Sequence, residues 1–134
     1  MDLRELLRAT YSDYGMGPRE FNCWGLVRAG LHHLFGVPLL PAFGAIHPAS
    51  HGELHQAFTS VVPAFTLLQE PEAGAVACFF ELGVLVHIGL VIERHAALYV
   101  LHINAGAGVM QTQVGRAGLL AQVVRYYRYM GEPA

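Results

Sequence analysis

The stretch EFNCWGLVRAGLHHLFGVPLLP, Glu20 to Pro41, decides how the chain reads. Trp24, Val27, Leu31, Leu34 and Phe35 recur at the spacing of one helical face. Gly36 supplies a stop, and Pro38 just beyond it cannot prolong a helix. The spacing predicts a helix over 23–35 that starts on Cys23. A residue there sits among backbone N–H groups without intrahelical partners, at the positive end of the helix dipole. A thiol so placed can ionise below its free value of about 8.5. The unpaired N–H groups could also hold a developing oxyanion. Gly25, two residues on, would leave room for close approach of a substrate chain. The competing reading is packing alone, since cysteine is among the most buried residue types. Cys78, inside VACFF with no polar neighbour, reads as that kind.

Around this helix the chain separates into an early helical part and a late strand-rich part. Leu3, Leu6 and Leu7 share a helical face, so residues 2–10 read as a short helix, followed by the Gly/Pro-containing loop YSDYGMGPRE. Ser50 precedes Glu53 by three residues, a capping-box pattern that predicts a helix near 51–60. Beyond Pro71 come AVACFFE, LVHIGLVIE, ALYVLHIN and GVMQTQV, short β-branched or aromatic runs separated by turn-like stretches. They predict an antiparallel meander. RAGLLAQ reads as a helical turn and VVRYYRYM as a last strand. Helices first and a sheet later give an α+β class with one core and about five strands. At 134 residues the chain makes one domain over 1–134.

Composition narrows the function. With 54% hydrophobic and 13% charged residues, the chain is neither disordered nor highly solvated, and its surface is thinly charged. All eight basic residues are arginine, scattered through a chain of net charge −2. No basic patch with interleaved aromatics is present, which argues against nucleic acid as a partner. MDLRELLRAT lacks an apolar signal core, and VLVHIGLVI is too short to span a bilayer. The expectation is a soluble protein made in the cytoplasm, without a disulfide framework.

A catalytic cysteine needs a histidine, and that histidine needs an orienting partner. His87 interrupts the apolar run VLVHIGLVI, and His102 interrupts YVLHIN. A polar ring in such a run is costly unless it is hydrogen-bonded. A connecting loop at 94–95 or 93–96 would place His87 directly across from His102, with Cβ atoms about 5 Å apart. An odd loop without a bulge would put them on opposite faces. Asn104 shares the face of His102 and is the fallback orienter. His32 and His33 lie mid-helix and His95 at a hairpin tip, without assigned roles. His47, His51 and His55 recur every four residues, yet HGELH places its glutamate one position away from the zinc-helix pattern. Pro48 also breaks a continuous helix from 47, so a solvated helix face is expected and no metal is assigned.

The combined pattern resembles the NlpC-type cysteine peptidases. YSDYGMGPREFNCWGLVRAGLHHLFGVPLLP is similar to their N-terminal motif, roughly Y-x-x-G-G, then D-C-x-G-L-V, then a helix ending in fG-x-x-L-P. PEAGAVACFFELGVLVHIGLVIE resembles their G-D-L-v-F-F…H-V-G-I-y-i segment, and LHIN resembles the strand with their third polar residue. The resemblance implies a papain-like α+β core without a cofactor. In it Cys23 is the nucleophile, His87 the general base and acid, and His102 the orienter. Tyr11 matches the upstream tyrosine and is the substrate-side or oxyanion candidate. It also implies peptide or amide bonds of bacterial peptidoglycan as substrate, commonly next to D-glutamate. The C-W-G-L-V form is most similar to the small version carried in the tail tip or tail-assembly region of tailed phages. That implies a virion location, tail-tip proteins as partners and action at the cell wall. Asn22 stands where the motif has aspartate, Ala75 where G-D has aspartate, and Gly15 alone represents the Gly-Gly pair. The alternative implied by these departures is a weakened or inactive structural tail component on the same fold.

Overall fold

The computed structural model describes residues 1–43 and 50–131. Their order is α1 (Leu3–Leu7), β1 (Thr10–Tyr11), β2 (Glu20–Phe21), α2 (Cys23–Phe35), α3 (His51–Val61), β3 (Phe65–Leu68), β4 (Val76–Glu81), β5 (Val84–Arg94), β6 (Ala97–Asn104), β7 (Gly108–Gln113), α4 (Val114–Ala117) and β8 (Val123–Tyr129). The class is α+β, with helices packed against a six-stranded sheet in the order β3-β8-β4-β5-β6-β7.

β4 to β7 form the expected meander. The last strand instead crosses back to pair with β4, and β3, which lies before Pro71, pairs with it on the outside. The sheet therefore has six strands rather than about five, because FTLL is too short and too lightly patterned to stand out in the sequence. The first helix ends at Leu7 rather than at residue 10. Thr10 and Tyr11 pair in parallel with Glu20 and Phe21, so tertiary pairing takes the end of the helical pattern.

α2 runs over the residues its spacing predicts. Gly36 ends it at φ 69°, a left-handed conformation that glycine adopts without Cβ strain. Its apolar face packs on β5 and β6, burying Trp24, Leu26, Val27 and Leu31. Gly30 lets the helix come close, since a Cβ there would lie 2.5 Å from Leu90 Cδ2. The loop beyond is tied down by Trp24 Nε1–H donating to the Pro41 carbonyl at 2.9 Å. The 51–60 helix is present as His51–Val61, but Ser50 makes no side-chain capping bond.

Between β4 and β5 the register steps from Phe79↔His87 to Phe80↔Leu85, a bulge that skips Val86. Bulges bend a strand and re-aim its side chains. Here Leu85 and Ile88, three apart, both join the core facing α2 and α3. The Leu85 N–H donates to His55 Nδ1 at 3.0 Å. His55 is thus tied to the strand rather than lying on a solvated helix face. The opposite sheet face carries a smaller apolar cluster of Ala75, Ala77, Phe79, Val91, Val100 and Ala117. Ala75 is wholly buried there, where a carboxylate would need partners.

The β5–β6 turn is His95–Ala96, with both residues at positive φ (52° and 63°), and Arg94 pairs with Ala97. The two-residue loop is even, so His87 and His102 share a face, but it is displaced from 94–95 and from 93–96. Continuing the register puts His102 across from Gly89, and His87 meets it diagonally rather than directly. Gly89 permits this: a Cβ there would lie 2.5 Å from Val100 Cγ1, 3.0 Å from the Leu101 carbonyl and 3.2 Å from His102 Cβ. The variant Gly89→Ala is expected to lose about 1–3 kcal/mol in urea unfolding, since neither strand backbone can yield cheaply. Unchanged stability would refute this packing.

Candidate active site

The sequence brings a thiol and two imidazoles toward one end of the sheet through three separate elements. Cys23 opens α2, His87 lies just after the bulge of β5, and His102 lies near the end of β6. Cys23 and His87 line one cavity of about 210 Å³, together with Tyr11, Asn22, Trp24, Leu54 and Asn104. Ser50 and His51 complete one wall from the start of α3.

Asn22 caps α2. Its Oδ1 accepts from the Gly25 N–H at 2.7 Å, and its Nδ2 donates to the Asp13 carbonyl at 3.2 Å. An aspartate could do the first but not the second, and would place a negative charge beside the sulfur. The departure from the motif therefore has a local reason: this buried position needs both an acceptor and a donor. Gly25 has a different role from the one its position suggests. A Cβ there would lie 2.2 Å from the Gly15 carbonyl, so the space is filled by the chain's own loop and not left for a substrate.

The His87 Nε2 and His102 Nδ1 atoms are hydrogen-bonded at 3.0 Å, with the rings nearly edge-on at 73°. Of the two orienter candidates, His102 is the one hydrogen-bonded to His87, and Asn104 stands on the cavity wall. His102 Nε2 in turn bonds Thr112 Oγ1 at 2.9 Å. Thr112, on β7, was not among the residues singled out from sequence. Only the register of β6 against β7, with Val100 opposite Thr112, brings it diagonally to His102. Phe79 packs beside both rings, at 5.5 Å from His87 and 6.3 Å from His102 between ring centroids.

Burial sets the protonation states. It pushes the Cys23 thiol up to about 11, although the backbone N–H groups of Trp24, Cys23 and Ile88 favour the thiolate and pull the other way. Burial, then the neighbouring His102, lowers His87 to about 4, and burial alone lowers His102. The resting pair is therefore a neutral thiol and a neutral imidazole. Tyr11 is raised by burial, then by the charge of the nearby Asp13 and by that of Cys23. It lines the same cavity as the thiol.

Cys78 is fully buried, and both cysteines are free. His51 lies on the cavity wall, His55 is bound to β5, and His47 lies outside the described residues. Among the described residues, no cluster of histidine, cysteine, aspartate or glutamate could hold a metal ion, and no helix is long and apolar enough to cross a membrane. No protein-family model matches the chain, and no curated protein matches it.

Two measurements follow from this geometry. Unfolded His87 titrates near 6.5, so between that pH and about 4 the unfolded chain binds a proton that the folded chain refuses. Stability is fully present above pH 6.5 and falls as the pH drops, by at most about 3 kcal/mol from His87. In urea titrations His87→Asn should flatten this slope, leaving the smaller part due to His102; an unchanged slope would contradict the assigned burial. Replacing Asn22 with Ala removes a cap and leaves the Asp13 carbonyl short of a donor, for an expected loss of about 1–3 kcal/mol. Thermal unfolding measures it, and an unaltered midpoint would exclude the capping role.

Proposed function

We propose that the chain is a cysteine peptidase or amidase of the NlpC type, acting on peptide or amide bonds of bacterial peptidoglycan. The observation that carries the reading is the cavity shared by Cys23 and His87, with His102 hydrogen-bonded to His87 from behind. The motif resemblance supports the substrate class and a papain-like core. It also supports delivery in the tail tip of a tailed phage, with tail proteins as partners.

The neutral resting pair favours deprotonation of the thiol as it attacks, not a stored thiolate. With Nε2 bonded to His102, Nδ1 is the His87 nitrogen available to take the thiol proton. The sulfur then bonds the carbonyl carbon, and the carbonyl electrons form an oxyanion at the N–H groups of the first turn of α2. Collapse breaks the C–N bond as His87 returns its proton to the leaving amine. A water molecule, deprotonated by His87, attacks the thioester and releases the acid and the thiol. Positioning matters here because a displacement near 1 Å can cost about a hundredfold in rate.

A second reading, a structural tail component on the same fold, is favoured by the thiol pushed up to about 11, which makes a poor resting nucleophile. Incubation with purified peptidoglycan peptides separates the two. Wild type is expected to cleave them and Cys23→Ala to lose cleavage entirely; equal activity in both would sink the peptidase reading. Under the structural reading neither cleaves, and iodoacetamide labels Cys23 slowly at neutral pH whether or not His87 is present.

A further inference from the structure

We propose that Thr112 is a positioning residue, the terminal acceptor that holds His102, and through it His87, in the one tautomer able to take a proton from Cys23. This rests on the reading of Cys23 as a nucleophile.

The bonded atoms form a line: His87 Nε2, His102 Nδ1, His102 Nε2 and Thr112 Oγ1, with separations of 3.0 Å and 2.9 Å at its two hydrogen bonds. A neutral imidazole carries one N–H, so two arrangements satisfy the line. In the first, His87 Nε2–H donates to His102 Nδ1, and His102 Nε2–H donates to Thr112 Oγ1. The lone pair of His87 is then on Nδ1. In the second, every bond is reversed: the Thr112 hydroxyl donates, His102 Nδ1–H donates to His87 Nε2, and the His87 proton sits on Nδ1. Only the first leaves a base for the thiol.

Charge separation sharpens the choice. When the thiol proton moves to His87 Nδ1, that ring becomes an imidazolium and must donate through Nε2. His102 must then accept at Nδ1 and carry its own proton on Nε2, facing Thr112. No proton leaves His102, and the thiolate electron pair goes to the carbonyl carbon. Thr112 supplies an acceptor for that N–H without adding a charge. His102 is only 3% exposed, so losing the acceptor would strand a buried donor. Orphaned buried N–H groups are rarer than under-used acceptors, so an apolar side chain at position 112 favours the second arrangement. The ring would then be present, packed and unable to act.

Nitrogen NMR of the histidine rings, with Thr112→Val and Thr112→Ser as variants, tests this. Wild type and Thr112→Ser are expected to carry the proton on Nε2 of both His87 and His102. Thr112→Val is expected to move both protons to Nδ1 and to slow iodoacetamide alkylation of Cys23 at neutral pH by about a hundredfold, the lower end of what a positioned base contributes. On purified peptidoglycan peptides its kcat should fall by a similar factor with KM unchanged, and Thr112→Ser should restore it. Unmoved tautomers and alkylation in Thr112→Val, or no rescue by serine, would overturn the proposal. Should Thr112→Val not fold, the wild-type spectrum decides, because a proton on His102 Nδ1 contradicts the assignment. Tautomers and alkylation that respond as expected, in a protein that cleaves no peptide, would uphold Thr112 and remove the peptidase reading. Equal cleavage by wild type and Thr112→Val would do the reverse.

Discussion

The start of α2 is buried against the bulged start of β5, and the remainder of the site follows from that contact. Half-buried there, the Cys23 sulfur is served by three backbone N–H groups, one of them from Ile88 on the strand. The contact also obliges the loop before the helix to close tightly over it. Gly25 lies against the Gly15 carbonyl because it has no side chain, Gly15 in turn lies against the backbone of Glu20 and Phe21, and Asn22 is bonded both to the helix it caps and to the loop it follows. A side chain at Gly15 or Gly25 would collide with backbone of this loop.

On the sheet side, the same contact depends on a strand that does not alternate regularly. The bulge allows Leu85 and Ile88 to fill one core while His87 stays on the face of Phe79 and His102. The N–H of Leu85 finds its acceptor in His55, so α3 is linked to the irregular segment. The glycine at 89 then gives β6 the close approach that a diagonal histidine pair needs. Helix, bulge, glycine and histidines form one mechanical unit.

Much of this was legible in the sequence because it depends on local pattern. The face of α2 and its Gly36 stop, the runs that become β4 to β8, and the two polar rings in apolar strands all read directly. Cys23 and His87 were singled out from their contexts and Tyr11 from the motif resemblance, and all three line one cavity, with His102 hydrogen-bonded behind it. What was not legible depends on pairing between distant segments. The β5–β6 turn lies at His95–Ala96, which changes a direct histidine pair into a diagonal one. The bulge at Val86, the pairing of FTLL with the last strand, and the use of Gly25 against Gly15 arise only once the elements are packed. Thr112 belongs with these, because a threonine on an edge strand has no local mark of its role.

The electrostatic balance bears on function more than the positions do. Burial shifts each group away from its own charged form, so the thiol and the imidazole that line one cavity both rest neutral; under the proposed peptidase reading the proton would move only as the thiol attacks. Under that reading, a substrate carbonyl entering the cavity would supply the electrophile. Intact-protein mass spectrometry after brief mixing with purified peptidoglycan peptides tests that claim most directly. An acyl adduct should appear on Cys23 in wild type and be absent in His87→Ala. A protein that cleaves peptides without passing through any adduct on Cys23, or that forms the same adduct without His87, would contradict it.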